Sequence, residues 1–375
     1  MRILLVLSFL ITALLPLSIQ AQESSLLQDK KVILKARVVE VSIPRTTLPD
    51  TLPSNIELQL IKAEILEGEE EGKVVEIEND YLSLKVGETF FISMTERVED
   101  GKVFYAMHDK YRLPALYFFF GFFVLSVLIF GGIQGIRGLV SLIGSVVLIV
   151  LVLIPGILGG YSPTLITIGV SSLIIVLGSY ITHGFNRTTS SAVVGMIITV
   201  IVTGVLAYIA VKWAGLSGFD SEEAVFLNWN TGGSIDLVGI LFGGIMIGLL
   251  GVLYDVAIGQ AVSVEELREA GPHMTKSHIL KRALRIGREH TGALVNTLAI
   301  AYVGASLPLL LLFYSSNTGA LSEVINREIF STEIIRILIG SIGLVLAVPI
   351  TTLISVFMLV KEGEVIKKTG HTHHH

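Results

Sequence analysis

The sequence predicts a membrane all-α bundle of about seven transmembrane helices behind an exported small β-barrel of the OB or SH3-like kind. Three observations carry this. The 375 residues are 52% hydrophobic and only 16% charged, against about 25% charged in soluble domains, and mean hydropathy is +0.74. Long apolar runs are confined to the region after Leu113 and to the N-terminal end. The residues between, 22–111, alternate in the manner of strands.

Residues 3–19 follow Arg2 and precede Gln20-Ala21-Gln22. They are short for a span of about 20 residues. Residues 1–21 therefore read as a signal peptide cleaved near Ala21, or as a retained signal anchor. Either one delivers residues 22–111 outside the cytoplasm. In that block Val32–Val41, Ile56–Ile61, Lys73–Ile77, Glu88–Met94 and Lys102–Met107 are strand candidates. Turn-rich segments separate them, among them Glu67-Gly68-Glu69 and Glu99-Asp100-Gly101. Five short strands suit a small barrel. Pro44–Pro53 is a loop.

From 112 to 360 the chain reads as a transmembrane domain. Its apolar segments are 114–132, 138–159, 163–182, 189–212, 236–258, 291–314 and 334–360. Basic residues concentrate on the cytoplasmic side: Arg137, Arg187, six in 260–290 (Arg268, Lys276, Lys281, Arg282, Arg285, Arg288), and Lys361, Lys367 and Lys368 in the tail 361–375. The acidic Asp220, Glu222 and Glu223 fall outside. Within 260–290, Val262–Ala270 reads as a helix stopped by Gly271-Pro272. Ser277–Arg288 reads as a second helix, with an apolar stripe of Ile279, Leu280, Ala283, Leu284 and Ile286. A basic amphipathic helix of this kind is expected on the inner membrane surface. The tail ends in His371, His373, His374 and His375, a tag remnant or disordered end rather than a metal site.

Several function classes fall away. Without cysteine there is no disulfide, thiolate catalysis, Fe–S cluster or cysteine-bound zinc. Net charge is −5, so nothing points to nucleic acid. No nucleotide-binding motif and no cofactor site is evident. The expected partners are membrane lipid, a small solute or ion, and either a second copy or a partner membrane protein.

The candidate site centres on Asp255. A charge inside a span costs roughly 2.5–3.5 kcal/mol at the bilayer centre, less near the interface. Gly244, Gly248, Gly251 and Asp255 stand at i, i+4, i+7 and i+11 and share one helical face. Small residues admit a neighbouring helix, so these glycines are expected to pack and Asp255 to face protein. Glu289, Gly292 and Asn296 share a face of the next span. Asp255 reads as an ion or proton carrier, or else as a structural carboxylate paired with Arg288, His290 or Asn296. Tyr254, Gln260, Asn296 and Thr297 would complete a polar site, or act as interhelical glue. His290 is a candidate because histidine is the side chain most suited to proton exchange, while Glu289 equally suits a helix N-terminus. His183, Asn186 and Arg187 form a secondary group that would join the Asp255 face or anchor the loop at the membrane. Two histidines with carboxylates would suit zinc if His183, Asp255, Glu289 and His290 converged; no local spacing such as H-E-x-x-H requires it, and the metal ligands stay unknown.

Larger segments carry a resemblance. GLLGVLYDVAIGQAVSVEEL and HILKRALRIGREHTGALVNTLAIAYVGASLPLLLL resemble the signature region of the YibE/YibF-like bacterial membrane proteins. ITHGFNRTTSSAVVG at 181–195 and QLIKAEILEGEEEGKVVEIEN at 59–79 are similar to the same family. The resemblance covers most of 30–315 and is weak over the last span. The family tends to carry Asp-Ile-Ile-Gly where this chain has Glu289-His290-Thr291-Gly292, and often Ser at Gln260. It implies a topology more firmly than an activity. A fainter analogy links the glycine-rich span, its aspartate and the following Glu-Glu-Leu helix to the cores of RND-type and SecD/SecF-type permeases. The expected function is transport of a small solute or ion across the bacterial inner membrane, coupled through Asp255. The alternatives are an intramembrane metal-dependent hydrolase, or a scaffold whose β-domain binds a partner.

Overall fold

The structure, a computed structural model, describes residues 30–43, 58–80, 82–98, 100–315 and 320–360. The N-terminal segment 1–21, the loop Pro44–Pro53 and the tail 361–375 lie outside the described residues. The chain divides into two compact units, Met1–Ser126 and Val127–His375.

The first unit holds one antiparallel sheet of β1 (Lys30–Ser42), β2 (Gln59–Ile65), β3 (Val74–Asn79), β4 (Thr89–Glu96) and β5 (Val103–Lys110), in the order β3-β2-β1-β4-β5. The 13-residue β1 makes the curvature. Its first half pairs with β4, its second half pairs with β2, and the register shifts between Val38 and Glu40. A bulge bends a strand and strengthens its twist. The edges β3 and β5 come into contact without pairing, which gives a half-barrel. Lys73 Nζ crosses that edge, donating to Glu70 Oε1 at 2.7 Å and to the Tyr105 hydroxyl at 2.8 Å. The Tyr105 hydroxyl donates to Glu70, and the two donors hold the Glu70 carboxyl below its ordinary range. Alternate residues point inward and form a separate core that includes Leu34, Val38, Ile61, Ile65, Phe90 and Ile92. The buried polar pair Gln59 and Asn79 is satisfied by bonds to each other and to the Leu84 backbone.

The helical elements are α1 (Leu113–Leu148), a π-helical turn (Ile149–Leu153), α2 (Ile154–Leu158), α3 (Pro163–His183), α4 (Arg187–Trp213), α5 (Glu222–Asn230), α6 (Leu237–Ala270), α7 (Lys276–Ala305), α8 (Leu307–Ser315), α9 (Leu321–Asn326) and α10 (Glu328–Leu359). Among the described residues five helical stretches are long and apolar enough to cross a membrane, or six if the bent pair α7–α8 counts as one span. The seven expected segments differ from this at two places.

The segments 114–132 and 138–159 lie in one stretch of 46 residues, Leu113–Leu158. A straight helix of that length would measure about 69 Å, over twice the roughly 30 Å hydrocarbon core. The stretch is broken at Gly132, whose φ of 52° and ψ of −139° suit glycine alone. The break is sharp. A Cβ built on Gly135 would lie 2.5 Å from the Val127 carbonyl oxygen, whereas eight helical residues span about 12 Å. Beyond it, Gln134 Nε2 donates to the Thr182 carbonyl at 3.1 Å, and Gly156 meets Ile166. Residues 134–158 thus run antiparallel to α3. The second difference is a 68° bend between α7 and α8 at Ser306. Pro308 lacks an N–H and disfavours helix just before it.

α4, α6 and α10 form the centre of the second unit, with α3 and α7 against them. α4 and α10 meet along an antiparallel seam. Ser191 Oγ lies 3.0 Å from Ser355 Oγ. A Cβ on Gly195 would lie 2.6 Å from Thr351 Oγ1, and one on Gly343 would lie 2.7 Å from Thr203 Oγ1.

The loop helices form as expected. Ile279 and Ala283 are buried against Val264, Val356, Leu359 and Val360. Arg268 Nη1 donates to the Leu359 carbonyl at 2.7 Å. Part of the stripe is thus covered by the extended end of α6 and the end of α10, which offer it an apolar partner, while Ile286 stays exposed.

Candidate functional site

Asp255 stands midway along α6. It shares its face with Gly244, Gly248 and Gly251, as the spacing requires, but all four are exposed. No atom lies within 4 Å of a Cβ built on Gly244, Gly251 or Gly292. Gly248 is the exception, where the Tyr302 hydroxyl would stand 2.1 Å from a Cβ. The expectation that this face packs is corrected: the rest of the described chain leaves it uncovered. The side of α6 that packs carries Leu249, Leu253, Val256 and Gln260. Close glycine contacts between helices include Gly195, Gly343, Gly243 against Thr167, and Gly287 against Val348 and Gln260.

Asp255 makes no hydrogen bond or ion pair among the described residues, so pairing with Arg288, His290 or Asn296 does not occur. Glu289, His290 and Asn296 are likewise exposed. Thr297 Oγ1 donates within its own helix to the Ala293 carbonyl at 2.9 Å. The contacts Gly248–Tyr302 and Gln260–Gly287 set α6 and α7 antiparallel. They put Asn296 within about one turn of the level of Asp255. Gln260 belongs to the packing instead. It is buried where α6, α7 and α10 meet, and accepts from Thr352 Oγ1 at 2.8 Å.

The secondary residues build a second place at the end of α3. Asn186 caps α4: its Oδ1 accepts from the Thr189 N–H at 2.6 Å, and its Nδ2 donates to the His183 carbonyl at 3.1 Å. The His183 ring lies 5.8 Å from the ring of Tyr254, whose hydroxyl donates to the Gly178 carbonyl at 3.3 Å. Between this turn and α6 lies a cavity of about 120 Å³, lined by His183, Asn186, Thr188, Thr189 and Glu265 together with small apolar residues of α6. Arg187 is exposed and does not line it.

Thr188 and Glu265 were missed in the sequence. The signal existed: Tyr254, Ile258, Ala261 and Glu265 follow i, i+4, i+7 and i+11, the rule that grouped Asp255 with its glycines. Among the described residues no three His, Cys, Asp or Glu side chains are close enough to share a metal ion. His183, Asp255, Glu289 and His290 therefore do not converge.

A third polar group, at the opposite end of the bundle, also went unread. Arg336 Nη1 meets Glu333 Oε1 at 2.7 Å, and its Nη2 lies 3.7 Å from Asp220 Oδ2. Ser306 Oγ donates to Glu333 Oε2 at 3.2 Å where α7 gives way to α8. Burial pushes the Asp220 carboxyl up, and the Arg336 guanidinium works against that.

The family model described as YibE/F-like protein matches residues 119–361. The match takes in Asp255, the His183 cavity and the last span, and leaves out residues 30–118. No curated protein and no solved structure matches the chain.

Proposed function

The chain belongs to the YibE/F-like family, and from that premise we propose that it is a multi-pass permease for a small solute or ion, with Asp255 as the carboxylate that takes up and releases a proton or coupling ion. One observation supports this above the others. Asp255 lies on an apolar helix, makes no hydrogen bond or ion pair among the described residues, and shares its face with Gly244 and Gly251, which leave open space. A structural carboxylate in a span is expected to hold a donor; a carrier has to stay reachable. Asn296 stands on α7 within about one turn of the same level.

The test is transport into proteoliposomes. Asp255→Asn keeps the shape and removes the charge. The variant should insert and melt like the parent, while uptake loses its dependence on the pH or ion gradient. A lowered melting temperature with the gradient dependence intact would sink the carrier role.

The same reading places the chain in the cytoplasmic membrane with seven crossings. The turn at Gly132 separates the first two, residues 134–158 return beside α3, and α7–α8 is a single bent crossing. An odd number of crossings puts the β-domain and the tail on opposite sides, and the basic residues of 260–290 favour the β-domain outside and the tail inside. Reporter fusions at Asn79, Gly160 and Ser221 should read outside, and those at Phe185 and His273 inside. An inside signal at Asn79 would leave a single crossing for Leu113–Leu158.

A further inference from the structure

We propose that the cavity between the α3–α4 turn and α6 binds a small monovalent cation, held by the Glu265 carboxylate and the hydroxyl oxygens at the start of α4. The proposal deepens the transport reading by naming a class for the coupling ion, and rests on it for the site's purpose only.

Size comes first. At roughly 30 Å³ per water molecule, a cavity of about 120 Å³ holds a cation with part of its hydration shell. Charge comes second. Glu265 is the one lining residue with a full charge when His183 is neutral, and it has no ion pair or hydrogen bond among the described residues. The facing titratable groups are His183 on α3 and Glu265 on α6, while Arg187 on α4 is turned to the surface. The third point is independent. Thr188 is only 6% exposed, and its hydroxyl oxygen has no partner among the described residues. A buried hydroxyl left unpaired is destabilising; a cation's bound water beside it would satisfy it.

The donor set narrows the class. Only His183 and Glu265 are of the type that binds zinc, and no third joins them. Hydroxyl, amide and carboxylate oxygens suit hard cations, and a single carboxylate suits one positive charge. The N-terminus of α4 opposes a cation, but Asn186 Oδ1 already takes up the Thr189 N–H there. Sodium, potassium and ammonium share the chemistry.

The experiment is equilibrium binding of labelled sodium, potassium and ammonium, each in turn, to the purified full-length protein, with the other two and choline as competitors. Saturable binding displaced by at least one of the two small cations and not by choline is expected, and the order of displacement identifies the preferred ion. Glu265→Gln should weaken binding by roughly tenfold or more, and Thr188→Val by a smaller factor. Glu266→Gln, an exposed neighbour outside the cavity, should leave it unchanged. Melting temperatures establish that each variant is folded; should Glu265→Gln melt early, Thr188→Val decides. No saturable binding by any of the three cations, or undiminished binding in folded Glu265→Gln or Thr188→Val, overturns the site. Gradient-driven transport without cation binding would reject this site and leave the permease standing. Cation binding without any transport would do the reverse.

Discussion

Two stripes of small residues run along the bundle and meet opposite fates. On α4, Ser191, Gly195, Thr199 and Thr203 recur every fourth residue and are buried against α10. On α6, Gly244, Gly248, Gly251 and Asp255 follow much the same spacing and stay exposed. The difference lies in the partner. α10 offers its own stripe in step, Gly343, Ala347, Thr351 and Ser355, so two backbones approach and hydroxyls pair across the seam. α7 offers Glu289, Gly292 and Asn296, all exposed and spaced by three and four. In a membrane, where apolar burial does not drive helices together, packing rests on such meshing. A small-residue stripe without a matching one is not glue, and a stripe that also carries a carboxylate has another use.

The hardest way to break the comparison is at Gly195. A Cβ there would lie 2.6 Å from Thr351 Oγ1 and 2.9 Å from the Thr351 Cα. The second of these atoms is backbone and cannot swing aside. Gly195→Ala should therefore spread the seam and destabilise the bundle, by about 1–3 kcal/mol on the usual scale for overpacking. Thermal melting in detergent measures this. A variant that melts with the parent would show that α4 and α10 are not pressed together as described.

What could be read in advance was local. The five strands follow from alternation, and Gly271-Pro272 marked the end of α6. The inner face of α6 could not be read, because a spanning helix is apolar nearly all round and its periodicity carries little contrast. Shared spacing grouped Asp255 with its glycines, but nothing in that pattern says which side the neighbours take. Glu265 and Thr188 were passed over for a related reason. Glu265 lies beyond the apolar segment in what reads as a separate helix, Val262–Ala270, yet α6 runs unbroken through it to Ala270. Its meeting with His183 depends on α3 and α6 packing side by side, a contact between elements some 80 residues apart.

The smallest expected change in stability comes from Gly251→Ala, and it sharpens the comparison most. No atom lies within 4 Å of a Cβ at this position, so the melting temperature should stay close to that of the parent, as for an unobstructed surface change within about 0.5 kcal/mol. The new methyl group stands on the Asp255 face, one turn away. If that face is where solute or ion passes, transport by Gly251→Ala should slow while the fold is untouched, and Gly251→Leu should slow it further. Loss of stability comparable to Gly195→Ala would mean that the face is covered in the working protein, and the contrast between the stripes would vanish. Unchanged transport in both variants would leave Asp255 on an idle surface and remove the main support for its role as carrier.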